Sequence, residues 1–311
     1  MDYRDAFIYY GYRLAGAITP LIPPRCGYRL AEQLGALFYG RAASRRAVSD
    51  NVSHILGEPA DSPRVQTVVQ QVFRNQAKNY FDLLRVASLS AEEIRKSVHQ
   101  IIGLEHLDAA LARGRGVVLV TGHFGNFDLA GQILAVNGYK VTAVAEHLRP
   151  ERLFRYVRAM RESHGLSFIP IDRPLRDIFR ALRTNEIVGL ALDRNVTDEG
   201  RLTEFFGQAA RLPDGYLRLA WRTEAALIVA FCRRLPDNTF VITVEPEVEL
   251  DHSNDFERDA KANMRKVLSI FEAYLSRYPD QWVYFQPVWL PCQAEHRRGV
   301  GVQPADEETP R

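Results

Sequence analysis

Val117-Val118-Leu119-Val120-Thr121-Gly122-His123-Phe124-Gly125-Asn126-Phe127-Asp128-Leu129-Ala130-Gly131 is the stretch on which the reading of this chain turns. Its first four residues are apolar without interruption, as in a strand buried on both faces of a parallel sheet. The residues after Asn126 read as a helix, with Asn126 as its N-cap. His123 is thereby set at the carboxyl end of a strand, where open α/β sheets place their active sites. Asp128 falls in the first helical turn, where the helix dipole favours an ionised carboxylate. Such a carboxylate accepts from one ring nitrogen and leaves the other to take a proton from a hydroxyl. Gly122 and Gly125 carry no side chains to keep a substrate away. On these residues alone two readings stand: a general base with its orienting carboxylate, or a buried histidine beside an aspartate that caps a helix.

The chemistry is narrowed by what the sequence lacks. No Gly-x-Ser-x-Gly elbow is present and no cysteine neighbours a histidine, so a serine or cysteine nucleophile has little support. No HExxH-like cluster argues for a metal, and no cofactor is expected. Cys26, Cys232 and Cys292 are far apart, which fits a reducing compartment and packing roles. A net charge of +2 gives no argument for nucleic acid as a partner.

Outward from the central stretch, strand and helix alternate. Strands are expected at 117–120, 140–145, 167–171 and 187–192, with helices at 127–137, 150–164 and 174–184. This alternation implies right-handed crossovers and a mainly parallel sheet flanked by helices. Further on, a helix is expected over 213–222, two strands over 226–233 and 239–244 about the turn Pro236-Asp237-Asn238, and a long amphipathic helix over 256–277. Upstream, residues 1–45 read as helical with breaks at Pro20, Pro23 and Pro24, followed by a helix over 64–85 and another capped by Ser90. With 46% of 311 residues hydrophobic, the chain is long enough for a sizeable core.

Ala6 to Ile22 is the most membrane-like segment, yet it contains Arg13, Gly11, Gly16 and Pro20. It reads as a helix lying in a membrane interface or packed on the domain, not as a span. The expected division is an N-terminal membrane-associating helical segment over 1–45, a catalytic domain over 46–292 and a polar, disordered tail over 293–311.

A second constellation is basic. Arg149, Arg152, Arg155, Arg158 and Arg161 recur every third residue, and Arg173, Arg176, Arg180 and Arg183 follow. A period of three spirals around an α-helix, so this is a band and not one patch. It reads as a solvated face or as a meeting place for phosphates, an acidic carrier or anionic lipid. Arg194 directly follows a buried strand, where it can steady developing negative charge. Glu204 reads either as a partner of an acceptor hydroxyl or as an ordinary loop carboxylate. Phe124, Phe127, Phe205 and Phe206 read as core or as the lining of an acyl groove. Trp282 and Trp289 read as core or interface anchors.

His123-x4-Asp128 resembles the signature of the glycerolipid and lysophospholipid acyltransferase superfamily. A longer ordered set resembles the bacterial lipid A biosynthesis (lauroyl/myristoyl) acyltransferase family, and within it the phosphatidylinositol mannoside acyltransferase branch. That set comprises Gly122 to Gly131, Ala145-Glu146-His147-Leu148-Arg149-Pro150, Leu192-Asp193-Arg194-Asn195, Phe205-Phe206-Gly207, Leu212-Pro213-Asp214-Gly215, Tyr278-Pro279-Asp280-Gln281-Trp282 and Gln286-Pro287-Val288-Trp289. The resemblance covers roughly residues 5–290. It implies acyl transfer from acyl-CoA or acyl-carrier protein to a hydroxyl of a membrane lipid or glycolipid, at the cytoplasmic face of the inner membrane. It makes His123 the base and Asp128 its partner, and it matches Glu146 and Glu204 to acidic positions near the acceptor. Asn195 stands where the family often has a second aspartate. Gly125, Asn126, Glu146, Arg149, Arg194 and Glu204 are the expected substrate-binding residues. The alternatives are a thioesterase that activates water with the same pair, and a non-catalytic lipid-binding relative.

Overall fold

The computed structural model describes residues 3–40, 42–172, 175–195, 200–253 and 255–290. The expected tail over 293–311, Cys292 and Arg173 lie outside the described residues. Helices α1 (Tyr3–Ile18), α2 (Pro24–Tyr39), α3 (Ala42–Leu56) and α4 (Pro63–Val86) come first, then α5 (Ala91–Lys96), strand β1 (Val98–Ile102) and α6 (Leu104–Leu111). Next come β2 (Val117–Thr121), α7 (Phe127–Val136), β3 (Val141–Ala145), α8 (Glu151–Arg161), β4 (Ser167–Pro170), α9 (Arg176–Arg183) and β5 (Ile187–Ala191). The chain continues with the hairpin β6 (Arg201–Phe205) and β7 (Gln208–Leu212), then α10 (Gly215–Thr223), β8 (Ala226–Arg234), β9 (Phe240–Val244) and α11 (Phe256–Arg277).

Seven strands form the central sheet in the order β1-β9-β8-β2-β5-β3-β4. Every pairing is parallel except β8 with β9, so the expected α/β fold with a mainly parallel sheet is what forms. Alternation along β2 feeds two core layers. Val118 and Val120 join α9, α10 and α11 on one face, while Val117 and Leu119 join α5 to α8 on the other. All four are buried, which is why the strand reads as continuously apolar.

Local signals act as the sequence implies. Ser62 caps α4 by accepting from the Val65 N–H with Pro63 behind it, and Ser90 and Glu93 close a capping box on α5. β1 and the β6–β7 hairpin were not expected. β1 shows little alternation and gains its place by pairing with β9, whose sequence lies 142 residues further on at the Val98–Phe240 pair. The N-terminal helices pack on the body of the protein. Gly27, Ala31 and Gly35 make a stripe of small residues on α2, against which Phe81, Phe73 and the backbone of Arg74 on α4 approach. The opposite side leaves apolar side chains exposed, with Phe7, Tyr10, Leu14 and Ile18 on α1 and Leu30, Leu34, Leu37 and Phe38 on α2. No helix among the described residues is long and apolar enough to cross a membrane.

Candidate active site

Three neighbouring strands, β2, β5 and β3, end on one side of the sheet and deliver the site. β2 and β5 run parallel with Thr121 opposite Ala191. Two residues further along each strand stand His123 and Asp193, so a register set by backbone pairing brings the two side chains together. His123 Nδ1 lies 2.8 Å from Asp193 Oδ1. Asp193 Oδ2 accepts from the His123 backbone N–H at 2.7 Å and from the Trp282 indole N–H at 2.8 Å. Gly122 is needed here, since a Cβ would stand 3.0 Å from Asp193 Oδ2 and closer still to the Phe271 ring.

Asp193 is fully buried, and burial by itself would raise its carboxyl pKa. The His123 charge, the hydrogen bonds from its ring and from the Trp282 indole, and that from the His123 backbone N–H outweigh burial and hold it below the usual carboxylate range. An ionised carboxylate only accepts, so Nδ1 must carry the proton and Nε2 is left as the basic nitrogen. The neighbouring Tyr284 hydroxyl is pushed up to about 12 by burial and by the Asp193 charge. Phe127 and Tyr284 pack against the imidazole, with ring centroids 4.8 Å and 5.6 Å away. About a fifth of the His123 side chain stays accessible, at 22%.

The carboxylate on the imidazole is therefore Asp193, where Asp128 was expected. Asp128 makes another pair. Arg161 on α8 places Nη2 2.8 Å from its Oδ2 and Nε 2.8 Å from its Oδ1. A carboxylate in the first turn of α7 points across to α8, because five residues of turn and helix carry it away from the strand end. Glu146, beyond β3, accepts from Arg194, beyond β5, with Arg194 Nε at 2.8 Å and Nη2 on the same oxygen. His123, Asp128, Glu146, Arg161 and Arg194 all line one cavity of about 790 Å³. Val144, Leu148, Ile178, Phe179, Leu190 and Leu219 give it an apolar wall. A few polar groups converging in a largely apolar cavity of this size is the usual form of a small-molecule site.

Other expected residues serve the scaffold. Asn126 is buried and caps α7 by accepting from the Leu129 N–H at 3.1 Å. Gly125 has φ +56°, and a Cβ there would overlap the Cys232 carbonyl oxygen at 1.8 Å. Its freedom thus admits the protein's own backbone, not a substrate. Four successive N–H groups of this turn are committed: His123 to Asp193, Phe124 to Gly122, Gly125 to Gln281 and Asn126 to Cys232. None of these four is free to bind a ligand, and Gly125 lines no part of the cavity, which corrects its expected role in substrate binding. Arg149 is exposed and lines no part of the cavity. Glu204 sits exposed on β6, away from the cavity, and uses its backbone oxygen to accept from Arg265. Of the four phenylalanines considered for an acyl groove, Phe127 lines the cavity, while Phe124 and Phe205 are core. Trp282 and Trp289 are core as well, and Trp289 donates to the Phe205 carbonyl at 2.8 Å.

Asp193, Trp282 and the Asp128–Arg161 pairing are what sequence reasoning missed. A signal for Asp193 was present: it follows the 187–191 strand at the distance at which His123 follows the 117–121 strand.

Comparison with known proteins identifies the family. A family model described as bacterial lipid A biosynthesis acyltransferase matches residues 2–291. The chain is 30% identical over 290 residues to a phosphatidylinositol mannoside acyltransferase of Mycobacterium tuberculosis, an alignment covering 91% of this chain and 89% of the relative. It is 31% identical over 269 residues to the protein of that name in Mycolicibacterium smegmatis, covering 85% and 86%. Similarity extends to a lipid A biosynthesis acyltransferase of Haemophilus influenzae, 22% identical over 270 residues, covering 86% and 82%.

Proposed function

The chain belongs to the bacterial lipid A biosynthesis acyltransferase family and is an acyltransferase, and we propose that it moves a fatty acyl chain from a thioester to a hydroxyl of a membrane glycolipid. The donor is acyl-CoA or acyl-carrier protein, and the acceptor resembles the mannosylated inositol lipid named in the relatives. One observation carries the mechanism: His123, held by buried Asp193, lines a cavity that also presents two carboxylate–arginine pairs.

In this reading the acceptor hydroxyl gives its proton to His123 Nε2 as its oxygen attacks the thioester carbonyl carbon. A C–O bond forms and the carbonyl becomes a tetrahedral oxyanion. With the N–H groups of residues 123–126 committed, the guanidinium groups in the cavity, foremost Arg194, are the donors assigned to that oxyanion. The intermediate collapses, the C–S bond breaks, and the thiolate takes the proton from the imidazolium. Asp193 fixes the tautomer beforehand and stabilises the imidazolium while it lasts. Asp128–Arg161 and Glu146–Arg194 offer acceptors and donors side by side, which suits the hydroxyls of a sugar.

Membrane attachment belongs to the same proposal. The exposed stripe Phe7, Tyr10, Leu14 and Ile18 has helical spacing, and exposed Arg25 and Arg29 lie on the next helix. Such a face supports a helix lying in a membrane interface, and the side proposed for it is the cytoplasmic one.

The test is acyl transfer to phosphatidylinositol mannoside in mixed micelles, with acyl-CoA and acyl-carrier protein as separate donors. His123→Ala is expected to lose about 10²–10⁴-fold in turnover while melting like the wild type. Full transfer by folded His123→Ala ends the mechanism. Free fatty acid without acylated lipid from the wild type identifies a thioesterase instead.

A further inference from the structure

β8 is longer than its neighbour. Its pairing with β2 ends at Val120–Val229, and Ala230 to Arg234 run on beside the turn that carries His123. Arg234 is the last residue of this extension. Its side chain is 2% exposed and its Nη2 lies 2.6 Å from Oδ2 of Asp82 on α4, itself 9% exposed. The pair does not stand alone. Asp82 Oδ2 also accepts from Asn126 Nδ2 at 2.9 Å, and Tyr28 of α2 donates to Oδ1 at 2.6 Å. Arg234 Nη2 donates to Asn79 Oδ1 at 2.7 Å, and Asn79 Nδ2 donates to the Gly125 carbonyl at 2.6 Å. The Arg234 guanidinium further lies over the Phe240 ring, 4.7 Å from its centroid.

Two things follow from this connectivity. Both ends of the network terminate on Gly125 and Asn126, the residues that follow His123-Phe124. And of the groups lining the active-site cavity, the buried charges hydrogen-bond only Asn79. Taking two charges out of water is expensive, and well-packed apolar residues of like volume are often as stable. A buried pair in this place is therefore weakly motivated by stability and well placed to fix the direction of one turn.

We propose that the buried Asp82–Arg234 pair is a positioning device for the active site, which orients the His123 turn through Asn79 on the Gly125 carbonyl and through the Asn126 side chain. Asp193 sets the tautomer of the imidazole, and the buried pair sets where the imidazole stands relative to the two substrates. The inference rests on the acyl-transfer reading. Wild-type turnover tests that reading, and the ratio of variant to wild-type turnover tests this one.

The experiment compares the full-length wild type with two variants. In Asp82→Leu/Arg234→Met both charges go together, so no uncompensated charge is left in the interior. In Asn126→Ser the cap on α7 is kept, because serine caps as well as asparagine, while the link to Asp82 is cut. Asn126→Ser is expected to melt close to the wild type, and the double variant lower, because it leaves the Tyr28 hydroxyl and the Asn79 and Asn126 amides without their partners. Displacing reacting groups by about an ångström costs up to about 10²-fold, so kcat is expected to fall about 10- to 100-fold with KM for the thioester changed less than twofold. The His123 Nδ1 proton resonance should broaden in both. A kcat fall of more than threefold in either folded variant upholds the proposal. A smaller change in every variant that folds overturns it and leaves the pair a structural feature only. Should the double variant not fold, Asn126→Ser decides.

Discussion

Asp193 Oδ1 lies 2.8 Å from His123 Nδ1, although 70 residues separate them in the chain. The pairing is a product of sheet register, and it gives the imidazole a partner that is wholly buried and triply hydrogen-bonded. A base held this way reaches one tautomer before any substrate arrives.

Asp193→Asn should therefore do more damage to turnover than Asp128→Asn. With Oδ2 accepting from the His123 backbone and the Trp282 indole, the amide NH₂ would face Nδ1, move the ring proton to Nε2 and remove the base. A loss of kcat on the order of 10³–10⁴-fold is expected, as when the aspartate behind a catalytic histidine becomes asparagine in serine proteases. Asp128→Asn leaves the tautomer alone and weakens the hold on Arg161, so acceptor KM should rise more than kcat falls. Steady-state kinetics on both variants checks the contrast. The reverse order would restore Asp128 as the partner.

The acid limb of stability should carry the mark of the same carboxylate. Folding lowers the Asp193 pKa, so the unfolded chain takes up the proton first as pH falls. The stabilisation is complete above the unfolded value of about 3.9 and is lost as pH drops through the lower folded value. Urea unfolding at a series of pH values should show the gap between wild type and Asp193→Asn shrinking as the pH falls below about 4.

Arg194→Gln tests the side-chain oxyanion donor. The backbone N–H groups of residues 123–126 are occupied, so none of those four can compensate. Removing one such donor typically costs about 10²–10³-fold in kcat. A melting temperature near wild type with a change under threefold would assign the oxyanion to Arg161 or another cavity group.

For the N-terminal face, Phe7→Glu/Leu14→Glu should weaken co-sedimentation with anionic liposomes by tenfold or more, because both side chains are largely exposed and support no core packing. Hydrolysis or transfer with fully soluble substrate analogues should be unchanged. Equal liposome binding would detach this face from the membrane.

Gly125→Ala should fail at the level of folding. The left-handed backbone alone costs an alanine about 1–2 kcal/mol, and its Cβ would lie 1.8 Å from the Cys232 carbonyl oxygen. A fall in the urea midpoint, with loss of soluble protein at 37 °C, is the expected outcome.

Much of the site was legible before any coordinates. The strand, the glycine–histidine turn, the Asn126 cap and the placement of His123 at a strand's carboxyl end are local matters, settled within one or two turns of chain. The resemblance in ordered motifs named the family that the comparisons then showed. Residues whose roles depend on distant neighbours were read less well. Glu204 was placed by motif order near the acceptor, yet its strand pairs into a hairpin that points it outward. Arg161 stood in an apparent band of surface arginines, and the packing of α8 beside α7 turned it into the partner of Asp128.

By itself the sequence determined that an imidazole would stand at the end of a buried strand, followed by a capped helix, in an α/β protein of a lipid acyltransferase family. Only the tertiary structure decided which carboxylate reaches that imidazole and which backbone groups are already spent. The reason is physical. Periodicity and capping are interactions among near neighbours, whereas a contact between two strand ends depends on the register of a parallel pair, and the hydrogen bonds that set it join segments no single window of sequence contains.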